Sequence, residues 1–277
     1  VVRTPQELAD LRKYCREVYI DTEKADVAGV TPAAGVAIAG LPATGRVLHR
    51  ESVAVEAEWP RAKDALLGAN AALSDVFESV RVRKTLDAAQ ARSAVGNMTQ
   101  SMLRNPDALM LLAAMRQRGG YQLERALDVC VYMIAFARFL GMDEGDIERA
   151  GHVGLLQDIG MLDLPQEMLQ KVTRLEPAEF KIIRGHVARG REILSGTRGL
   201  PAEVAQLAAL HHERYDGSGY PGGLKGDALG VIGGMAGMVD TFDALTVKRP
   251  YAGRSTRNSS SSSSAASATF RSAASSS

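Results

Sequence analysis

The 277-residue chain is long enough for a core-forming domain and a smaller companion, since domains run to about 100–200 residues. Its apolar share of 45% and charged share of 23% exclude a wholly disordered chain. With 33 basic and 32 acidic residues, the charge balance gives no ground for a nucleic-acid polymer or an anionic membrane as principal partner. No signal peptide opens the chain, and no apolar stretch reaches the roughly 18–20 residues that span a bilayer, so the expectation is a soluble, cytoplasmic protein without a membrane span. Cys15 and Cys130 lie far apart in helical patterns and read as buried thiols of a reducing compartment.

In chain order, Thr4, Pro5 and Glu7 stand at capping-box spacing and predict a helix from Pro5 to Arg16. The β-branched and aromatic run Val18 to Asp21 predicts a strand. One helix and one strand cannot bury a core, so residues 1–25 read as the end of a small, truncated α/β module. Residues 26–60 read as a linker, because Ala, Gly, Val, Thr and Pro dominate from Asp26 to Gly45. A helical region begins near Pro60, and residues 61–100 read as connecting helices. Leu66, Leu73 and Val80 recur every seven residues, with Val76 and Phe77 between them. That stripe suits packing within its own domain; a homodimeric coiled coil is the alternative, although two heptads are few for it.

Asn105-Pro106 has the form of a helix cap and first position, opening a helix through Met115. Further helical patterns run from Tyr121 to Leu140, Asp146 to Leu156, Pro177 to Leu194, Pro201 to Arg214 and Leu229 to Leu245. No alternating strand pattern follows residue 60. The fold class is therefore mainly α, a helical bundle domain over residues 101–257. Residues 258–277 are nearly all Ser and Ala, cannot build a core, and receive no function.

Four of the five histidines fall between residues 152 and 212, with Asp158 and Asp240 nearby in the helical patterns. Imidazole nitrogen and carboxylate oxygen suit Zn, Fe or Mn, and facing helices can bring such groups together. Adjacent His211 and His212 on a helix would point about 100° apart, which restricts how both reach one site. Taken singly, each histidine reads as a surface or hydrogen-bonded core residue.

The loop His211-His212-Glu213-Arg214-Tyr215-Asp216-Gly217-Ser218-Gly219-Tyr220-Pro221 is far more specific. With it the sequence resembles the HD-GYP family, a branch of the HD metal-dependent phosphohydrolases. Asp243-Ala244-Leu245-Thr246 with Arg249-Pro250-Tyr251 matches a further family motif, as does Leu164-Pro165 after Gln157-Asp158. The likeness runs from about Leu103 to Tyr251, and Val1 to Asp21 resembles the end of a DUF3391-like module. The resemblance implies an α-helical, HD-type domain with two or three metals that hydrolyses cyclic di-GMP to the linear dinucleotide or GMP. It also implies that the GYP loop shapes the substrate pocket, through Gly219, Tyr220 and Pro221 with Arg249, and touches GGDEF-domain proteins.

The resemblance carries over unevenly. The His-Ser pair that opens the family pattern is Arg125-Ala126 here, the signature His-Asp is Gln157-Asp158, and the Lys three residues on is Met161. The basic residue closing the Arg-Pro-Tyr motif is Ala252. Retained are Asp158, His186, His211, His212, Asp240, Tyr220 and Arg249. The family metal surrounded by the first His, the signature pair and the late Asp would here face Arg125, Gln157, Asp158 and Asp240. An arginine has no lone pair to offer a cation. Asp158, His186, His211 and His212 would still hold one divalent ion, so the expectation is at most one Fe, Mn or Zn per chain, or none.

Two expectations follow for Arg125: its fork bridges Asp158 and Asp240 in place of a cation, or it points outward and leaves the pocket empty. His152, about 240° from Asp158 on a helix, reads as structural. Glu213 and Asp216 read as loop-fixing, Asp243 as bonded within its helix or to the loop, and Lys225 as a solvated lysine. The functional expectation is a cyclic di-GMP signalling protein with weak or lost hydrolysis and a binding or regulatory role, Asp158 being its catalytic candidate. The alternative is a working metal-dependent phosphodiesterase.

Overall fold

Residues 47–246 are described by a computed structural model, apart from 84, 117–120, 170 and 172–174. The expected helix Pro5 to Arg16, the strand Val18 to Asp21, Cys15, Arg249 to Ala252 and the Ser/Ala tail lie outside the described residues.

Helix α1 starts a turn earlier than expected, spanning Val55–Arg83 with Pro60 inside it. Its apolar stripe is consumed within the chain: Leu66, Leu73, Val76 and Val80 are buried against α2 (Ala88–Arg104) and α3 (Pro106–Met115). Each such burial contributes about 1.5–3 kcal/mol. The Glu58 carboxylate, buried in the first turn of α1, accepts two hydrogen bonds from the Arg104 guanidinium at 2.7 Å each. Asn105 caps α3 as its sequence suggests, accepting from the amides of Asp107 and Ala108, and its own amide reaches the Val53 carbonyl.

Helices α4 (Tyr121–Phe139) and α5 (Glu144–Leu156) form a closely packed pair. Gly154 permits the approach, since a Cβ there would lie 2.9 Å from both Cys130 Cα and the Val129 carbonyl oxygen. Cys130 is a buried free thiol whose pKa burial pushes up. After α5 come a 3-10 helix (Ile159–Asp163), short α6 (Gln166–Leu169), long α7 (Pro177–Ser195), short α8 (Val204–Ala208), a second 3-10 turn (Gly226–Leu229) and α9 (Gly230–Thr246). The described residues contain no strand, only an isolated bridge between Asp216 and Lys225. The chain is mainly α.

Two expectations need correction. The pattern from Pro201 to Arg214 predicts one helix, but only Val204–Ala208 forms. Beyond it the amides of Ala209, Leu210 and Glu213 bond three residues back, so the chain tightens into turns. Leu210 is drawn down onto α9, where a Cβ at Gly233 would lie 2.6 Å from its Cδ1. Tertiary packing here overrides helical periodicity. Secondly, Gly226–Thr246 is long and apolar enough to cross a membrane by length and composition. In this fold its Met235, Ala236 and Val239 lie in the core, and it carries buried Asp240 and Asp243.

Candidate metal centre

Three loops and helix ends converge at the C-terminal end of α5. Asp158 follows directly on Gln157, the C-cap of α5, and leads into the 3-10 helix. That short helix lies hard against α7 because residue 160 is glycine: a Cβ would sit on the His186 carbonyl oxygen and 2.6 Å from the Gly190 amide nitrogen. Asp158 is thereby brought to His186, buried on α7. The turn after α8 supplies His211 and His212. Because these two leave the helix, the 100° divergence expected of neighbours on one does not apply, and their ring centroids lie 4.0 Å apart.

The atoms that meet are all electron-pair donors. Asp158 Oδ1 is 3.4 Å from His186 Nε2 and 3.5 Å from His211 Nε2, and the two Nε2 atoms are 3.2 Å apart. Each imidazole places Nδ1 2.6 Å from a backbone carbonyl, His186 on Ile183 and His211 on Ala208. Those contacts put the ring N–H at Nδ1 and turn the Nε2 lone pairs toward Asp158. Lone pairs meeting at such separations repel unless a cation or proton lies among them. Edges of 3.2–3.5 Å are those of ligands sharing one ion with bonds of about 2.0–2.1 Å. Asp158 Oδ1 is buried without a hydrogen-bond partner, and His212 completes a group whose four ligand atoms lie within 4.8 Å of one another. This donor set fits a divalent metal.

Electrostatics agree at Asp158, His186 and His212 and run the other way at His211. Burial works against the Asp158 carboxylate, but Arg125, His211 and His186 outweigh it and hold its pKa well below the usual range. Burial likewise lowers His186, and lowers His212 to about 2 with help from neighbouring His211, so both present neutral rings near pH 7. On His211 the Asp158 carboxylate overcomes burial and raises the pKa.

Arg125, near the start of α4, points inward. Its Nε lies 3.2 Å from Asp158 Oδ2, and its Nη2 donates to Asp240 Oδ1. The bridge between the two aspartates expected from the sequence is present. Asp243 belongs to it as well: fully buried, its Oδ2 lies 3.7 Å from Arg125 Nε. Spacing alone does not reveal that positions 240 and 243, one turn apart on α9, face the same guanidinium. Gln157, also buried, donates its amide to Asp240 Oδ1 at 3.4 Å, and His212 Nδ1 lies 3.6 Å from Asp240 Oδ2. Asp240 is thus turned toward Arg125, Gln157 and His212.

The Gly219-Tyr220-Pro221 loop closes over this group. The Tyr220 amide bonds to the His212 carbonyl, and its ring stacks on His212 with centroids 4.7 Å apart. Burial raises the Tyr220 hydroxyl to about 12. Glu213 is buried and accepts from the amides of Gly222 and Leu224, while Asp216 accepts from the Ser218 amide. Both are the loop-fixing residues their sequence positions suggest. At Gly219 a Cβ would lie 2.5 Å from Glu213 Cα, so the doubled-back loop requires glycine there. Lys225 is exposed, as a solvated lysine would be, and its aliphatic stem lies across Gly217. Met161 lies half-buried in the 3-10 helix. His152 is buried away from the group, its Nδ1 on the Glu148 carbonyl, and is structural.

A family model described as an HD domain matches residues 107–266, more than half of the chain. The chain belongs to the HD domain family. Its branch is HD-GYP: the chain is 34% identical over 242 residues to the cyclic di-GMP phosphodiesterase PA4108 of Pseudomonas aeruginosa, covering 85% of this chain and 57% of that one. Other relatives include the cyclic di-GMP phosphodiesterase response regulator RpfG of Xanthomonas campestris, 39% identical over 42% of this chain and 31% of its own. Another is the 3'3'-cGAMP-specific phosphodiesterase 2 of Vibrio cholerae, 36% identical over 44% and 24%. The chain thus spans little more than half the length of PA4108, and less of the other two. A second model, DUF3391, a domain of unknown function, matches residues 1–91 and so reaches past residue 25 through α1 into α2. The fold is shared with Bd1817, an HDG"Y"P protein from Bdellovibrio bacteriovorus, at a TM-score of 0.55 and 18% identity over 68% of this chain and 61% of that one.

Proposed function

We propose that this chain is a cytoplasmic cyclic di-GMP signalling protein that binds the dinucleotide around a single divalent ion and hydrolyses it weakly, acting chiefly by binding. The observation that carries the reading is the Arg125 guanidinium held between Asp158 and Asp240. Asp158, His186, His211 and His212 would hold the ion, an iron, manganese or zinc. When bound, it would supply Lewis acidity to a phosphodiester and lower the pKa of water.

The protein's own groups divide the remaining work. Arg125 is a fixed positive charge that cannot accept a proton from water or bind an ion. It neutralises part of the charge of Asp158, Asp240 and Asp243. Gln157 orients Asp240 through its amide. Tyr220 and the loop fixed by Glu213 wall the group from solvent, with Gly219 and Pro221 shaping the wall. By its motif, Arg249 would be a further substrate contact. The same loop would present a surface to GGDEF-domain proteins. Cyclic di-GMP is favoured as ligand because the relative that shares most of this chain is named for it.

A second reading, a working phosphodiesterase, is favoured by the names of the relatives. Metal analysis of the purified protein with a turnover assay on cyclic di-GMP separates the two. One equivalent of metal and slow or absent product release support the proposal; two equivalents and rapid release would overturn it. In the double variant Arg125→His with Gln157→His, metal content rises to two equivalents, and neither single change suffices. A second ion gained by Gln157→His alone would refute the assignment to Arg125.

A further inference from the structure

We infer that Arg184, an exposed arginine on α7, is a phosphate-binding residue of this site. The inference rests on the cyclic dinucleotide reading above and adds to it a contact that none of the family motifs quoted above contains. Arg184 stands two residues before His186 and is exposed at the rim. Its guanidinium carbon lies 4.0 Å from the Tyr220 ring centroid and 5.5 Å from that of Phe180, one turn back on the same helix. Tyr220 in turn stacks on His212. The arginine is therefore one ring removed from the metal group, in contact with the faces of two aromatic rings.

Such a contact engages the guanidinium through its face and leaves its in-plane N–H donors open. No acceptor engages them among the described residues, and no carboxylate pairs with Arg184. The other arginine near Tyr220 is already engaged, since Arg214 Nη1 donates to the carbonyl of Glu213 at 3.0 Å and to that of His211 at 3.5 Å. A fork of free donors in a fixed orientation is what bidentate binding of a phosphate requires.

The charge around the group calls for such a residue. Arg125 and the divalent ion proposed above do no more than neutralise the carboxylates of Asp158, Asp240 and Asp243, which leaves no surplus positive charge for an anionic dinucleotide. Met161 offers none. A cation at the rim supplies that charge where the substrate enters, and its contacts with two rings lower the entropy lost on binding.

The test is calorimetric titration of cyclic di-GMP into the metal-loaded 277-residue protein, as wild type, Arg184→Ala, Arg184→Lys and, as a control exposed arginine, Arg198→Ala. Arg184→Ala weakens binding about tenfold or more, the scale of a charge-assisted hydrogen bond. Arg184→Lys restores part of the loss, because a lysine keeps the charge without the fork. Added salt weakens wild-type binding more steeply than that of Arg184→Ala. Arg198→Ala binds as wild type, and all four proteins melt together. Arg184→Ala binding within twofold of wild type overturns the inference and leaves the dinucleotide reading standing; an equal loss in Arg198→Ala overturns it too, showing only a general field effect. A wild-type protein that takes up no cyclic di-GMP overturns both.

Discussion

At the residue scale, Arg125 is a cation that the chain carries permanently where a metal would have to be acquired. It faces three buried or half-buried carboxylates at once, so its removal exposes them to one another. Breaking a buried ion pair from one side costs about 3–5 kcal/mol. In chelator at neutral pH, Arg125→Ala loses about that much stability, measured by urea denaturation. The sign with pH follows from Asp158, whose folded pKa is depressed. Its contribution is fully present above the unfolded carboxylate value of about 3.9 and is lost as pH falls below it. The deficit of Arg125→Ala therefore holds from neutral pH down to about pH 4 and shrinks only below it; a deficit that persists unchanged at still lower pH would show that the arginine acts by packing alone. Asp158, His186, His211 and His212 were legible in the sequence because their types and loop motif are specific. Asp243 and Arg184 were not, since their roles depend on which way α9 and α7 turn, and one-turn spacing on a helix carries no record of what stands opposite.

At the scale of elements, the helices with strong punctuation read correctly. Asn105-Pro106 opens α3 because the Asn side chain satisfies the first free amides and Pro lacks one to satisfy. The end of α8 was illegible, because the apolar period runs on past Ala208 while packing of Leu210 on α9 breaks the helix. That break delivers both histidines to one site. The 3-10 helix depends on Gly160 in the same way: Gly160→Ala meets backbone, not a side chain that could swing aside. The substitution lowers stability by about 2 kcal/mol and weakens metal binding, because Asp158 is displaced from His186. Unchanged metal affinity by titration would mean that Asp158 is placed by some other contact. At the far side, Glu58 clamps α1 to Arg104, and that hydrogen-bonded pairing depresses its pKa. Glu58→Ala costs about 2 kcal/mol at pH 7, moderated by the partial exposure of Arg104. Since a depressed carboxylate stabilises fully above its unfolded value of about 4.3 and loses that contribution as pH falls through its lowered folded value, the denaturation midpoints of wild type and variant approach each other as pH falls below about 4.

At the scale of the whole molecule, the candidate ligands come from positions spread between residues 158 and 212, and Arg125 and Asp240 extend the cluster to α4 and α9. An ion bound there would join the 3-10 helix, α7 and the turn after α8, elements that otherwise meet through apolar packing, close glycines and the Arg189–Asp163 ion pair. Binding to the folded state alone stabilises by RT ln(1 + [L]/Kd), about 2.7 kcal/mol at a free concentration one hundred times Kd. For a body of roughly 200 residues, 1 kcal/mol moves Tm by about 2–4 °C. The melting temperature of the wild type in excess Mn²⁺ therefore exceeds that in EDTA by about 5–10 °C. The double variant His186→Ala with His211→Ala removes two of the four donors and melts at the same temperature in both buffers. Arg125→His with Gln157→His shows a larger difference than wild type, because a second ion then bridges α4, the end of α5 and α9. A wild-type melting temperature indifferent to every divalent ion tried would mean that the three facing lone pairs are satisfied by a proton, and that the chain has left metal chemistry behind altogether.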